Sequence, residues 1–127
     1  MLLSSPGTTL DLSGNAWTCT NLTGAATLVD GSLTVNGPWT LTAATVGTLG
    51  GGTATVAFGP NAELTLANAS GFNRATVYTI ATSSTAFAEK VPLSEETRRD
   101  TRWRVRLSSN GLSQELYYAS GSTITLR

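Results

Sequence analysis

Three segments of this chain echo one another at a spacing of 22–23 residues, and that echo restricts the fold more than any other feature. They are Leu10–Thr20 (LDLSGNAWTCT), Leu33–Thr42 (LTVNGPWTLT) and Val56–Leu66 (VAFGPNAELTL). Each reads as a short strand of alternating apolar and polar residues, a corner of Gly, Asn or Pro, and a second alternating strand. Ser13-Gly14-Asn15 and Asn36-Gly37-Pro38 supply the positive or fixed φ that turns a chain sharply, and Gly59-Pro60 falls next in register. A unit of this size cannot bury its apolar residues alone, and stacking on its neighbours is what gives such repeats a shared interior.

The expected fold is therefore all-β: a right-handed parallel β-helix of about three to five coils. Residues 1–127 form one domain, with coils over about 8–82, a polar insertion over about 83–101 and capping strands over about 102–127. Equal phase predicts three inward columns, Leu10/Leu33/Val56, Leu12/Val35/Phe58 and Cys19/Leu41/Leu64. The rival arrangement, a β-sandwich or irregular barrel, shows similar short strands between turns but does not require residues to recur at a fixed spacing.

After residue 73 the pattern changes. Ala75–Ala81 reads as a further strand. Ser94 is placed to cap a helical turn that begins at Glu95-Glu96 and ends at Arg98-Arg99. In Arg102–Leu107, Trp103, Val105 and Leu107 alternate with three arginines, and Leu116–Tyr118 and Ser122–Leu126 read as closing strands.

Charge follows the same division. Charged residues make up 13% of the chain, about half the usual ~25%. Residues 1–73 hold Asp11, Asp30 and Glu63 and no base, while residues 74–127 hold all eight bases and five acids. Such a modest positive excess argues against nucleic acid as a partner. The absence of histidine excludes Ser-His-Asp and Cys-His catalysis, and a lone cysteine cannot build a thiolate cage for a metal. Asp11 and Glu63 belong to different strand positions, so no paired-carboxylate site is expected either. The reading is of a non-enzyme with no catalytic residue, no metal and no cofactor. Cys19, stacked with leucines, is read as an inert core residue.

The start of the chain lacks the basic n-region of a signal peptide. No apolar run approaches the ~18 residues of a membrane span, so no membrane insertion by this segment is expected. Contact with a ligand or partner is assigned to the aromatics Trp17, Trp39, Trp103, Tyr117 and Tyr118 and to Arg102, Arg104 and Arg106. Arg98 and Arg99 could extend the arginines into a patch for acidic glycans or phosphate. Outward threonines at Thr18/Thr20, Thr40/Thr42 and Thr53/Thr55 would form a flat array, but Glu63 is expected to interrupt it at the place of Thr40.

Gly31–Gly37 followed by Trp39–Thr42, with the ordered ending Tyr78–Thr82, Arg102–Arg106 and Thr123–Leu126, resembles the repeats of bacterial autotransporter passenger domains and related surface β-helix proteins. The resemblance covers roughly Leu10 to Leu126. It implies a parallel β-helix that is secreted or held at a bacterial cell surface, acting as a structural or adhesive segment. A carbohydrate-binding module, or the C-terminal part of a β-helical carbohydrate-active enzyme, are the alternative readings. The expected partners are a glycan, a surface protein or further copies of the chain, since an open strand edge near Leu10 and Leu12 favours edge or end-to-end association.

Overall fold

The computed structural model describes residues 9–119, and these are mainly β-strand. In chain order the strands are β1 (Thr9–Cys19), β2 (Leu22–Thr23), β3 (Thr27–Val35), β4 (Pro38–Leu41), β5 (Gly50–Gly51), β6 (Thr55–Phe58), β7 (Glu63–Leu66), β8 (Tyr78–Thr82), β9 (Trp103–Leu107) and β10 (Ser113–Tyr118). An α-helix, α1 (Glu95–Asp100), precedes β9, and a single 3-10 turn spans Ala69–Gly71. The first parallel sheet runs β1-β3, with β5 and β6 both beside β3. The second parallel sheet has the order β2-β4-β7. The third is antiparallel, β8-β10-β9.

The chain passes from the first parallel sheet to the second at corners. Asn36-Gly37 joins β3 to β4, and Gly59–Ala62 joins β6 to β7. Gly37 is needed there because a Cβ at that position would run into the carbonyl of Thr20. The Asn36 Oδ1 accepts from the Asn61 N–H at 3.0 Å, which ties one corner to the next. Inward residues of both sheets meet in one core that includes Leu28, Leu33, Val35, Trp39, Leu41 and Leu64, none of them exposed. Each buried leucine contributes about 1.5–3 kcal/mol relative to leaving it in water.

Two of the six neighbour pairs in the predicted columns hold. Leu33 lies beside Val56 and Val35 beside Phe58, both at the expected offset of 23. The first unit is out of register. Trp17 pairs with Leu33, Cys19 with Val35, and Leu10 with Leu28. In the second sheet the offset is 25, so Leu64 lies beside Trp39 and Leu66 beside Leu41. Trp17 and Trp39 therefore share no column, and Thr65, not Glu63, stands beside Thr40.

The reason is local. Ser13-Gly14-Asn15 is not a corner; it is a bulge inside β1, with Ser13 at φ 55° and Gly14 at φ 74°, where the pairing with β3 shifts register. The true corner of the first unit is Thr20-Asn21.

The expected β-helix is overturned by this topology. The parallel strands form two separate sheets that do not close into a helix. β10 pairs antiparallel with both β8 and β9 instead of continuing a coil.

The C-terminal half is pinned by side chains. Ser94 caps α1, its hydroxyl accepting from the Thr97 N–H at 3.3 Å. The buried Thr97 hydroxyl in turn accepts from the Leu66 N–H at 3.1 Å, which covers the end of β7. Gln114 is fully buried; its Oε1 accepts from the Val91 N–H at 2.6 Å and its Nε2 donates to the Glu89 carbonyl at 3.2 Å. As expected of β9, Trp103 and Val105 face inward while Arg102 and Arg106 lie outside. The segment Ser122–Leu126 lies outside the described residues.

Candidate functional site: an arginine-lined cleft

The structure divides the predicted contact residues among different places. Trp39 is fully buried, and its Nε1–H donates to the Gly24 carbonyl at 2.7 Å. Trp103 is 2% exposed. Neither ring offers a platform to a ligand. Trp17 alone of the three is open, at 48%, on the edge strand β1 with its Nε1–H 3.3 Å from the Leu12 carbonyl. Among the described residues no strand pairs with the outer edge of β1.

The arginines of β9 separate as well. Arg104 is spent on the backbone: Nη1 donates to the carbonyls of Thr101 (3.0 Å) and Trp103 (2.7 Å), and Nη2 to that of Arg98 (3.2 Å). It thereby ties the C-terminus of α1 to β9, where a cation also offsets the negative end of the helix dipole. Arg106 pairs with Glu115 at 2.9 Å and lies 4.9 Å above the Tyr117 ring. Its charge is compensated, and Tyr117 is covered by it.

What remains forms one cleft of ≈ 390 Å³, lined chiefly by Ser70, Arg74, Arg99, Arg102, Trp103 and Tyr118. Its floor is a packed aromatic cluster. The Trp103 ring meets Tyr118 edge-on at 5.3 Å, Phe72 at 5.6 Å and Tyr78 at 6.0 Å. The Arg74 guanidinium lies over the Tyr118 ring at 4.7 Å, a cation–π placement that holds its planar fork in a limited set of orientations. Arg99 pairs with Asp100 at 3.1 Å, and the Asp100 carboxylate raises the Arg99 pKa further above its usual range. Three arginines thus line the cleft, and Asp100 is the one acidic residue among its lining. That balance suits an anion, and guanidinium forks suit carboxylate, sulfate or phosphate groups in particular.

Arg102 and Tyr118, expected as contact residues, and Arg99, expected in an arginine patch, line this cleft, whereas Trp103 belongs to its buried floor and not to an exposed contact. Arg74 was not expected there. It stands alone in a turn after Asn73, and its one sequence signal is that it is the first base in the chain.

Elsewhere the chemistry is sparse. Among the described residues no three His, Cys, Asp or Glu side chains gather closely enough to hold a metal ion. Cys19 faces the core, and burial pushes its thiol pKa up, which disfavours the reactive thiolate. No described helix is long and apolar enough to cross a membrane. In comparisons with known proteins, no protein family, curated protein or solved structure matches this chain.

Proposed function

We propose that the protein is a non-catalytic adhesive module that engages acidic carbohydrate through the arginine cleft, on a secreted or cell-surface protein. The observation that carries this reading is that Arg74 and Arg102 line one cleft over a packed aromatic floor and form no ion pair among the described residues. The Tyr118 ring limits the orientations of the Arg74 guanidinium, so less conformational freedom is lost there when an anion arrives. The nearly uncharged first half supports the same reading, because it leaves the cleft as a local concentration of positive charge.

Binding to immobilised heparin oligosaccharides tests the proposal. Retention is expected at low ionic strength and is lost by about 0.5 M salt, where screening shortens to a few ångströms. Arg74→Ala combined with Arg102→Ala is expected to weaken binding about ten-fold, equivalent to about 1.4 kcal/mol. Arg106→Ala, which removes a charge already paired with Glu115, is expected to change it less than two-fold. Equal losses from both changes would reject the cleft as the binding site.

A further inference from the structure

A second cavity, of ≈ 550 Å³, lies along the outer edge of β6, and segment 85–90 forms its opposite wall. The rings of Phe58 and Phe87, stacked at 5.8 Å, give it an apolar floor.

The polar side of this cavity is backbone. The Gly59 N–H donates to the Val35 carbonyl, so alternate residues of β6, Ala57 and Thr55, also turn their peptide groups toward β3. Those of Val56 and Phe58 then face the cavity. The Val56 N–H meets the Ser83 hydroxyl there at 2.9 Å. The Val56 carbonyl and both peptide groups of Phe58 have no hydrogen-bond partner among the described residues. A strand edge left open beside an apolar floor is a place for one more strand.

The sequence of that strand is present in the chain. Ser32-Leu33-Thr34-Val35 and Thr55-Val56-Ala57-Phe58 stand side by side in register. Thr123-Ile124-Thr125-Leu126 has the same alternation and lies outside the described residues.

We infer that the cavity beside β6 receives Thr123–Leu126 of a second copy of this chain as an added parallel strand. The Val56 carbonyl and the Phe58 N–H are the acceptor and donor open to such a strand, and Phe58 and Phe87 offer it an apolar contact.

The same copy cannot supply the strand. Ala119 is fixed by its N–H to the Arg102 carbonyl, beyond the Tyr118 end of β10. The cavity lies past the Ser113 end, where the Phe87 N–H donates to the Gly111 carbonyl. The ends of β10 are about 17 Å apart at ~3.4 Å per residue. Four residues from Ala119 to Thr123 cover at most about 14 Å. This exchange is independent of the arginine cleft.

Sedimentation velocity of the full chain over a concentration series tests it, with Ile124→Asp on the inserted segment and Ala88→Arg on the exposed cavity wall. The wild type is expected to associate with concentration, and each variant to remain monomeric at ten-fold higher concentration with an unchanged melting temperature. Thr85→Arg, on the same wall, replaces Ala88→Arg if the latter lowers that temperature. Mixing the two variants is the decisive arm, since one retains an open cavity and the other an intact segment. The mixture is expected to form a one-to-one pair. A wild type that stays monomeric, variants that associate as it does, or a mixture that stays apart would each overturn the inference. Association indifferent to both substitutions would instead place the interface elsewhere, such as the open edge of β1.

Discussion

Trp39 and Trp17 show how far position outweighs residue type. Trp39 stacks on Phe58 at 5.6 Å and spends its one donor on the Gly24 carbonyl, all without solvent contact. Trp39→Ala should cost about 3–5 kcal/mol in urea denaturation, through lost burial and the cavity left behind. Trp17, half exposed, should cost less than about 1 kcal/mol when changed to alanine. Acrylamide quenching separates them: Trp17→Phe should remove most of the quenchable fluorescence, because Trp103 is buried too. Cys19 offers a second test at this scale. Its folded pKa is raised by burial, so the folded state holds the thiol proton more tightly than the unfolded chain does. The corresponding stability is complete below the unfolded value of about 8.5 and is lost as pH rises through the folded pKa. Between pH 7 and pH 9.5 the urea midpoint of the wild type should fall further than that of Cys19→Ala.

At the scale of elements, the chain was legible wherever local chemistry decided the outcome. The alternation in Arg102–Leu107 identified β9 and its inward face, and Ser94 with Glu95-Glu96 identified α1. The offset of 23 between β3 and β6 was readable because both strands end in true Gly/Pro-type corners. The first unit misleads because Ser13-Gly14-Asn15 has corner composition but is a bulge within a continuous strand. Positive φ serves either purpose, and only pairing with β3 distinguishes them. The closed helix expected from the repeat fails for the same physical reason that repeats in general can mislead. Equal spacing fixes phase within a ladder, but whether neighbouring sheets join depends on what the connecting segments do. Gln114 carries a prediction at this scale. Gln114→Leu keeps much of the volume but strands the Val91 N–H and the Glu89 carbonyl. It should destabilise the protein by about 1–3 kcal/mol per buried group left unpaired. Ser94→Ala, which loses only a helix cap, should cost about 1 kcal/mol. Both can be read from urea midpoints.

Over the whole molecule, the division of charge becomes a division of labour. The first half is built from apolar files and backbone ladders and carries almost no charge, whereas the second half brings bases from three separate elements to one cleft. Arg74 follows β7, Arg99 sits on α1 and Arg102 leads into β9, so no single stretch of sequence shows them together. That is why the cleft was only partly legible: composition announced a basic half, but the convergence is tertiary. The most direct measurement is NMR of the arginine Nε–Hε resonances during titration with a heparin tetrasaccharide. Saturable shifts at Arg74, Arg99 and Arg102, with Arg104 and Arg106 unmoved, are the predicted result. Shifts centred on Arg106, or small changes spread evenly over every arginine, would contradict the cleft as the place where this protein meets an acidic ligand.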